Sequence, residues 1–246
     1  MTFLQKHHGQ MSDSMLTAFF IILSGGLQDA YTYCCRGKVF ANAQTGNIVL
    51  LSTHLFEGDW GQALRYLVPV LAFLLGIYIA ECVHRHFKRM EKVHWRQLII
   101  LAEIVLLAAV GFLPETLNVV VALYPIFFAM SIQWSSFGGA RGFYSSTIFS
   151  TNNTKQTSLA LANYLCDHDR AHLRKLKVFA LTLLCFHIGA AVAYFAVTWW
   201  YIRGALAVLP LIAWAFFLSV CERRHEALAE EPETIPDSSA HPTSNA

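Results

Sequence analysis

Charge is scarce in this chain. Lys, Arg, Asp and Glu supply 14% of its 246 residues, where a soluble domain carries about 25%. Too few charged side chains are present to coat a surface that meets water on every side. Catalytic signatures are missing as well: there is no His-Glu-x-x-His, no Gly-x-Ser-x-Gly, no Walker phosphate loop and no dinucleotide fingerprint. Polar residues are scattered and do not gather in one loop, which argues against a membrane hydrolase. No enzyme activity, metal or cofactor is expected. Six cysteines (Cys34, Cys35, Cys82, Cys166, Cys185 and Cys221) lack C-x-x-C spacing, so free buried thiols acting as small hydrophobes are expected. No apolar stretch alternates with period two, which excludes the strands of an outer-membrane barrel. No A-x-A-like site follows the first apolar block, which should therefore stay as a helix and not be cleaved as a signal.

Long apolar runs are what the chain does have. Hydrophobic residues make up 55% of it and the mean hydropathy is +0.44. They cluster in six blocks: Met15 to Cys34, Tyr66 to Val83, Gln97 to Leu113, Leu117 to Trp134, Val178 to Val197 and Ala205 to Cys221. Each is close to the roughly 20 residues that carry a helix across a bilayer. Helices are the expected spanning element, because in lipid they satisfy their own backbone hydrogen bonds. The reading is an all-α polytopic membrane bundle with about six spans.

Lys and Arg set the orientation. They concentrate in the second-to-third connection (Arg85, Lys88, Arg89, Lys92, Arg96), the fourth-to-fifth (Arg141, Lys155, Arg170, Arg174, Lys175, Lys177) and the start of the tail (Arg223, Arg224). Positive-inside bias then puts both termini in the cytoplasm. The first loop dissents with Arg36, Lys38 and Arg65, partly countered by Glu57 and Asp59. Trp199, Trp200 and Tyr201 suit an interfacial aromatic belt. Residues 1–14 are then a cytoplasmic tail and 15–221 the transmembrane domain, with halves of about 15–113 and 117–221. Residues 222–246 are a cytoplasmic tail that starts as a charged helix and ends largely disordered. The short basic loops suit anionic lipid heads better than nucleic acid, so the lipid bilayer is the expected partner, and a homodimer is compatible with so small a bundle.

A weak internal echo links the halves. "GLQDAY" leads to "TGN", and "SIQWSS" leads to "TNN"; Gln28 to Thr45 is a step of 17, and Gln133 to Thr151 a step of 18. "AFLLG" (Phe73, Gly76) returns as "CFHIG" (Phe186, Gly189) 113 positions on. Three spans per half would make a 3+3 inverted repeat, an arrangement common in secondary transporters.

Within that frame, Thr45, Gly46 and Asn47 head a short apolar segment, and Thr151, Asn152 and Asn153 head its counterpart. Thr45 or Asn47, and one of Thr151 to Asn153, are candidate caps for helices too short to cross. Two readings stand. Re-entrant tips from opposite faces could meet and bind a small polar or anionic solute at their N-termini, or both helices could lie flat on their own membrane surfaces.

Single polar residues extend the candidate site. Gln28 and Asp29 lie at the end of the first block. An intramembrane carboxylate costs roughly 2.5–3.5 kcal/mol on insertion scales, so Asp29 is either a proton-coupling or solute group or the partner of Arg36 or Lys38. Glu103 is expected to snorkel toward Arg96, and Glu81 to sit in the interface. His187, in mid-helix, is either a cross-helix hydrogen bonder or a second proton-coupling group. Gly138, Gly139 and Gly142 mark either a close helix approach or the end of a helix.

The run "SGGLQDAYTY…VFANAQTGNIVLL", then "GDW" and "FLLGIYIA", resembles the YoaK family of multi-pass bacterial inner-membrane proteins, from about Phe20 to Cys221. Its most specific features are Asp29 after Gly26-Leu27-Gln28 and the triplet Thr45, Gly46, Asn47. The resemblance implies a helical fold in the inner (plasma) membrane and no substrate. Where such proteins repeat a Gln-Asn pair in the fourth helix, this chain has Gln133-Trp134, which weakens a symmetric role for the halves. The expectation is a small secondary transporter, its solute held between Gln28-Asp29, Thr45-Gly46-Asn47, Gln133 and Thr151-Asn152-Asn153. The rival is a non-transporting scaffold whose glycine faces bind partner helices.

Overall fold

The computed structural model describes residues 15–87, 95–114, 116–137 and 150–230. These residues are all-α, with no strand among them. The helices are α1 (Met15–Cys35), α2 (Gln44–Phe56), α3 (Trp60–Phe87), α4 (Trp95–Gly111), α5 (Val119–Ser136), α6 (Ser150–Asp167), α7 (Arg170–Trp200) and α8 (Leu209–Glu230), with a 3-10 segment (Tyr201–Val208) joining the last two. The six apolar blocks fall on α1, α3, α4, α5, α7 and α8. Two described stretches are long and apolar enough to cross a membrane, Trp60–His86 and the continuous run Arg170–Cys221. Gln97–Gly111 is apolar but shorter.

Local sequence explains where elements stop. Gly37 (φ 82°) and Lys38 (φ 65°) take the left-handed conformation that ends α1. Asp169 caps α7 by accepting from the Ala171 N–H at 2.8 Å. The tail helix expected after Cys221 is present, since α8 continues to Glu230.

Packing is paired across the two halves. α1 lies on α7 as α5 lies on α3; α2 rests on α3 and α6 on α7; α4 touches α5 while α8 touches α1. At the α1–α7 crossing, a Cβ on Gly26 would collide with the Phe186 carbonyl oxygen, and one on Gly189 with that of Leu23. Hydrogen at these positions is what lets the two backbones touch. At the α3–α5 crossing, Gly76 makes room for the Ser131 side chain. The core sits where α1, α4, α5 and α8 converge, around Leu27, Tyr31, Leu107, Ile126, Met130, Val208 and Ile212.

Several expectations are corrected. α2 starts at Gln44, before the triplet, and its N-cap Ala43 makes no side-chain cap bond. Thr45 and Asn47 are therefore first-turn residues and not caps. α6 begins by Ser150 and runs for 18 residues, so Thr151, Asn152 and Asn153 also sit inside its first turn, and it is long for a minor segment. Among the cysteines, all free, only Cys185 is buried, and Cys34, Cys82 and Cys166 are exposed. Gly138, Gly139 and Gly142 lie outside the described residues.

Candidate functional site

Helical spacing divides the polar residues of α1 into two neighbouring stripes. Gly25, Asp29 and Thr32 form one; Thr17, Ser24, Gln28 and Tyr31 form the other. The first faces the α1–α2 connector. Asp29 Oδ1 accepts from the Asn42 N–H at 2.9 Å, and the N–H groups of Ala41 and Ala43 also turn toward this carboxylate. Because α2 brings no cap of its own, Asp29 supplies the negative charge at its amino end from a different helix. Asn42 Nδ2 donates to Gly25 O at 2.8 Å, tying the connector back to α1.

Asn47 closes the same connector from the other side. Its Oδ1 accepts from Phe40 N at 3.0 Å, while its Nδ2 donates to Phe40 O at 2.8 Å and to Gln44 Oε1 at 3.1 Å. The Phe40 ring lies against Gly46, where an added Cβ would stand 3.0 Å from Cδ2. Thr45 is exposed. The triplet thus locks a loop: Gly46 admits a ring, Asn47 holds that residue's backbone, and Thr45 faces outward.

Asp29 has neither of its expected partners. The fully buried Arg36 donates from Nε to Tyr31 Oη at 3.0 Å, and the Lys38 ammonium stands 4.7 Å from the Tyr33 ring centroid.

The second stripe points into the bundle. Gln133 of α5 is buried; its Nε2 donates to Ile21 O at 3.1 Å, and its Oε1 lies 3.2 Å from Ser24 Oγ. Gln28 is 0% exposed, yet among the described residues neither its side-chain oxygen nor its nitrogen has a hydrogen-bond partner. Glu103, on α4, is buried, and its Oε1 has no hydrogen-bond partner among the described residues. It does not snorkel to the surface, because its position on α4 points into the core beside Ile99, Ile100 and Leu107. Glu81 by contrast is exposed and pairs with Arg85 at 2.7 Å.

The remaining candidates do not join either group. Thr151 and Asn152 are exposed and Asn153 is buried, all on α6. Among the described residues α2 and α6 make no contact with each other. His187 is exposed, and among the described residues its Nδ1 meets Leu183 O of its own helix at 2.7 Å. A groove of about 400 Å³ opens elsewhere, between α3, α4 and α5, lined by apolar residues such as Leu71, Leu75, Leu106, Tyr124 and Phe128.

Sequence reasoning missed Asn42, Phe40, Tyr31 and the isolation of Arg36. Only Asn42 carried a local signal, as an amide standing between two alanines in "FANAQTGN". No curated protein and no solved structure matches the chain. A family model described as "Protein of unknown function (DUF1275)" matches residues 17–219, and the chain belongs to that family.

Proposed function

We propose that this is a multi-pass inner-membrane protein that moves a small polar solute through the interior of its bundle, as a small secondary transporter. The solute's contact group is Gln28, with Ser24 and Gln133 beside it on the α1–α5 wall. The observation that carries this is the unpartnered Gln28 amide. A buried amide left without hydrogen bonds is unfavourable by about 1–3 kcal/mol, and such a group calls for an explanation, which a bound polar solute supplies.

The membrane part rests on exposure. Only 28% of the apolar window in Trp60–His86 is buried, and 33% of that in Arg170–Cys221. Helices forming the core of a water-soluble protein hide such windows; here Leu71, Leu74, Leu75, Leu184, Ile188 and Phe195 face outward. Paired packing of the halves supports the inverted repeat. The narrower kinship with YoaK proteins rests on the Asp29 and Thr45-Gly46-Asn47 motifs, whose side chains fix the α1–α2 connector.

Thermal unfolding of purified protein across a panel of small polar metabolites tests the reading, because a ligand of the folded form must raise its apparent stability. One compound should raise the midpoint, lose that effect in Gln28→Leu, and be taken up by proteoliposomes. A ligand whose effect survives Gln28→Leu would move the site elsewhere; a panel with no effect, together with a stabilised Gln28→Leu, would favour the scaffold reading.

A further inference from the structure

Arg36 follows the last residue of α1 and is 1% exposed. Tyr31 is its protein partner. The guanidinium carbon stands 5.7 Å from the Tyr31 ring centroid, and Nε donates to the phenol oxygen. That phenol passes its own proton to Ile202 O at 2.9 Å, so it acts toward Arg36 purely as a neutral acceptor. Nη2 is buried with no hydrogen-bond partner among the described residues.

A guanidinium cannot escape this by losing its proton. A buried charge is tolerated when it is paired, and the ion pairs of the described residues all lie elsewhere, at Glu57, Glu81 and Asp167. Asp29, the acid nearest in sequence, is committed to the connector amides. Among the described residues the guanidinium thus has one neutral oxygen for company, that of the phenol anchored to the 3-10 segment at Ile202. Its planar fork suits a pair of oxygens carrying negative charge.

We propose that Arg36 is the receptor for an oxyanion, a phosphate or carboxylate group, that enters beneath Tyr201–Val208. A lipid headgroup and a free anion offer the same chemistry. The exposed Lys38, two residues on, stands outside the receptor, stacked on Tyr33.

The full chain, purified in neutral detergent, is unfolded thermally at constant ionic strength while chloride is exchanged for inorganic phosphate or acetate. The same scan is run in nanodiscs of phosphatidylcholine and of phosphatidylglycerol. The midpoint should rise by roughly 5 °C at saturating anion, the rise should vanish in Arg36→Met, and Lys38→Gln and Gln28→Leu should keep it. A rise with soluble anions in phosphatidylcholine discs assigns a free anion; a rise confined to phosphatidylglycerol discs assigns a headgroup. Should Arg36→Met fail to fold, Tyr31→Phe keeps the ring and removes the oxygen that aims the guanidinium. Its half-saturating anion concentration should then change at least threefold. No rise under any condition, an equal rise in Arg36→Met, or an unaltered anion dependence in Tyr31→Phe overturns the assignment.

Discussion

Gln28 and Asp29 are adjacent in sequence and opposite in circumstance. The Asp29 carboxylate takes the Asn42 N–H and faces those of Ala41 and Ala43. One residue back, the Gln28 amide is more deeply buried and has no hydrogen-bond partner among the described residues. A 100° turn of helix separates them, directing one at a connector rich in unused backbone donors and the other into a core of side chains. The difference teaches where to look for binding. A motif residue whose bonds are all made within the protein has done its work on folding; a buried polar group left open has something still to meet.

The largest effect expected from this contrast is on the connector. Asn47→Ala removes three hydrogen bonds and strands both the N–H and the C=O of Phe40. At about 1–3 kcal/mol for each buried group left unsatisfied, a loss of roughly 3 kcal/mol is expected, read as a lower denaturant or thermal midpoint in detergent. Unchanged stability would mean that the connector is not held as described. Asp29→Asn comes next. The variant keeps one acceptor oxygen but turns an NH₂ group toward N–H donors, and it surrenders the charge at the amino end of α2. A loss of about 2 kcal/mol is expected, with any solute response of the folded fraction retained. Were Asp29→Asn to fold normally and lose uptake, Asp29 would be the working group and the comparison would reverse.

Gln28→Leu should behave in the opposite sense. Replacing an open amide by an apolar side chain of similar size removes a desolvation cost, so stability should hold or rise by about 1 kcal/mol, while the ligand response disappears. The pairing of unchanged or higher stability with lost response separates a binding group from a structural one.

Much of this architecture was legible in the chain. Six apolar blocks marked six helices, and the polar-headed segments marked α2 and α6, because hydropathy is read from consecutive residues. Function was less legible. "TGN" reads as a cap since Thr and Asn are the usual capping residues, but helix α2 starts one residue before the triplet and takes its anion from α1, a tertiary choice no local pattern records. Glu103 reads as interfacial from its nearness to a basic loop; its direction depends on which face of α4 meets α5 and α8. His187 reads as interior from its mid-helix position, and only the packing of α7 shows that this face is the outer one. The isolation of Arg36 depends on Tyr31, on Ile202 from the far end of the chain, and on Asp29 being occupied elsewhere.

The smallest expected effect sharpens the comparison further, because it falls within the motif itself. Thr45 and Asn47 are two positions apart in the Thr45-Gly46-Asn47 triplet, yet Thr45 is exposed while Asn47 is buried. If the triplet were a solute-binding tip, the outward hydroxyl of Thr45 would be its most available ligand, and Thr45→Ala would cost uptake without costing stability. If it is a lock, the hydroxyl is spare, and Thr45→Ala should shift stability by under about 0.5 kcal/mol and leave solute response alone. Thr151→Ala, exposed at the matching place in α6, should be equally silent. Uptake lost in both threonine variants, with folding intact, would restore the two tips as the site even though α2 and α6 do not touch, and would demand a second conformation in which they do.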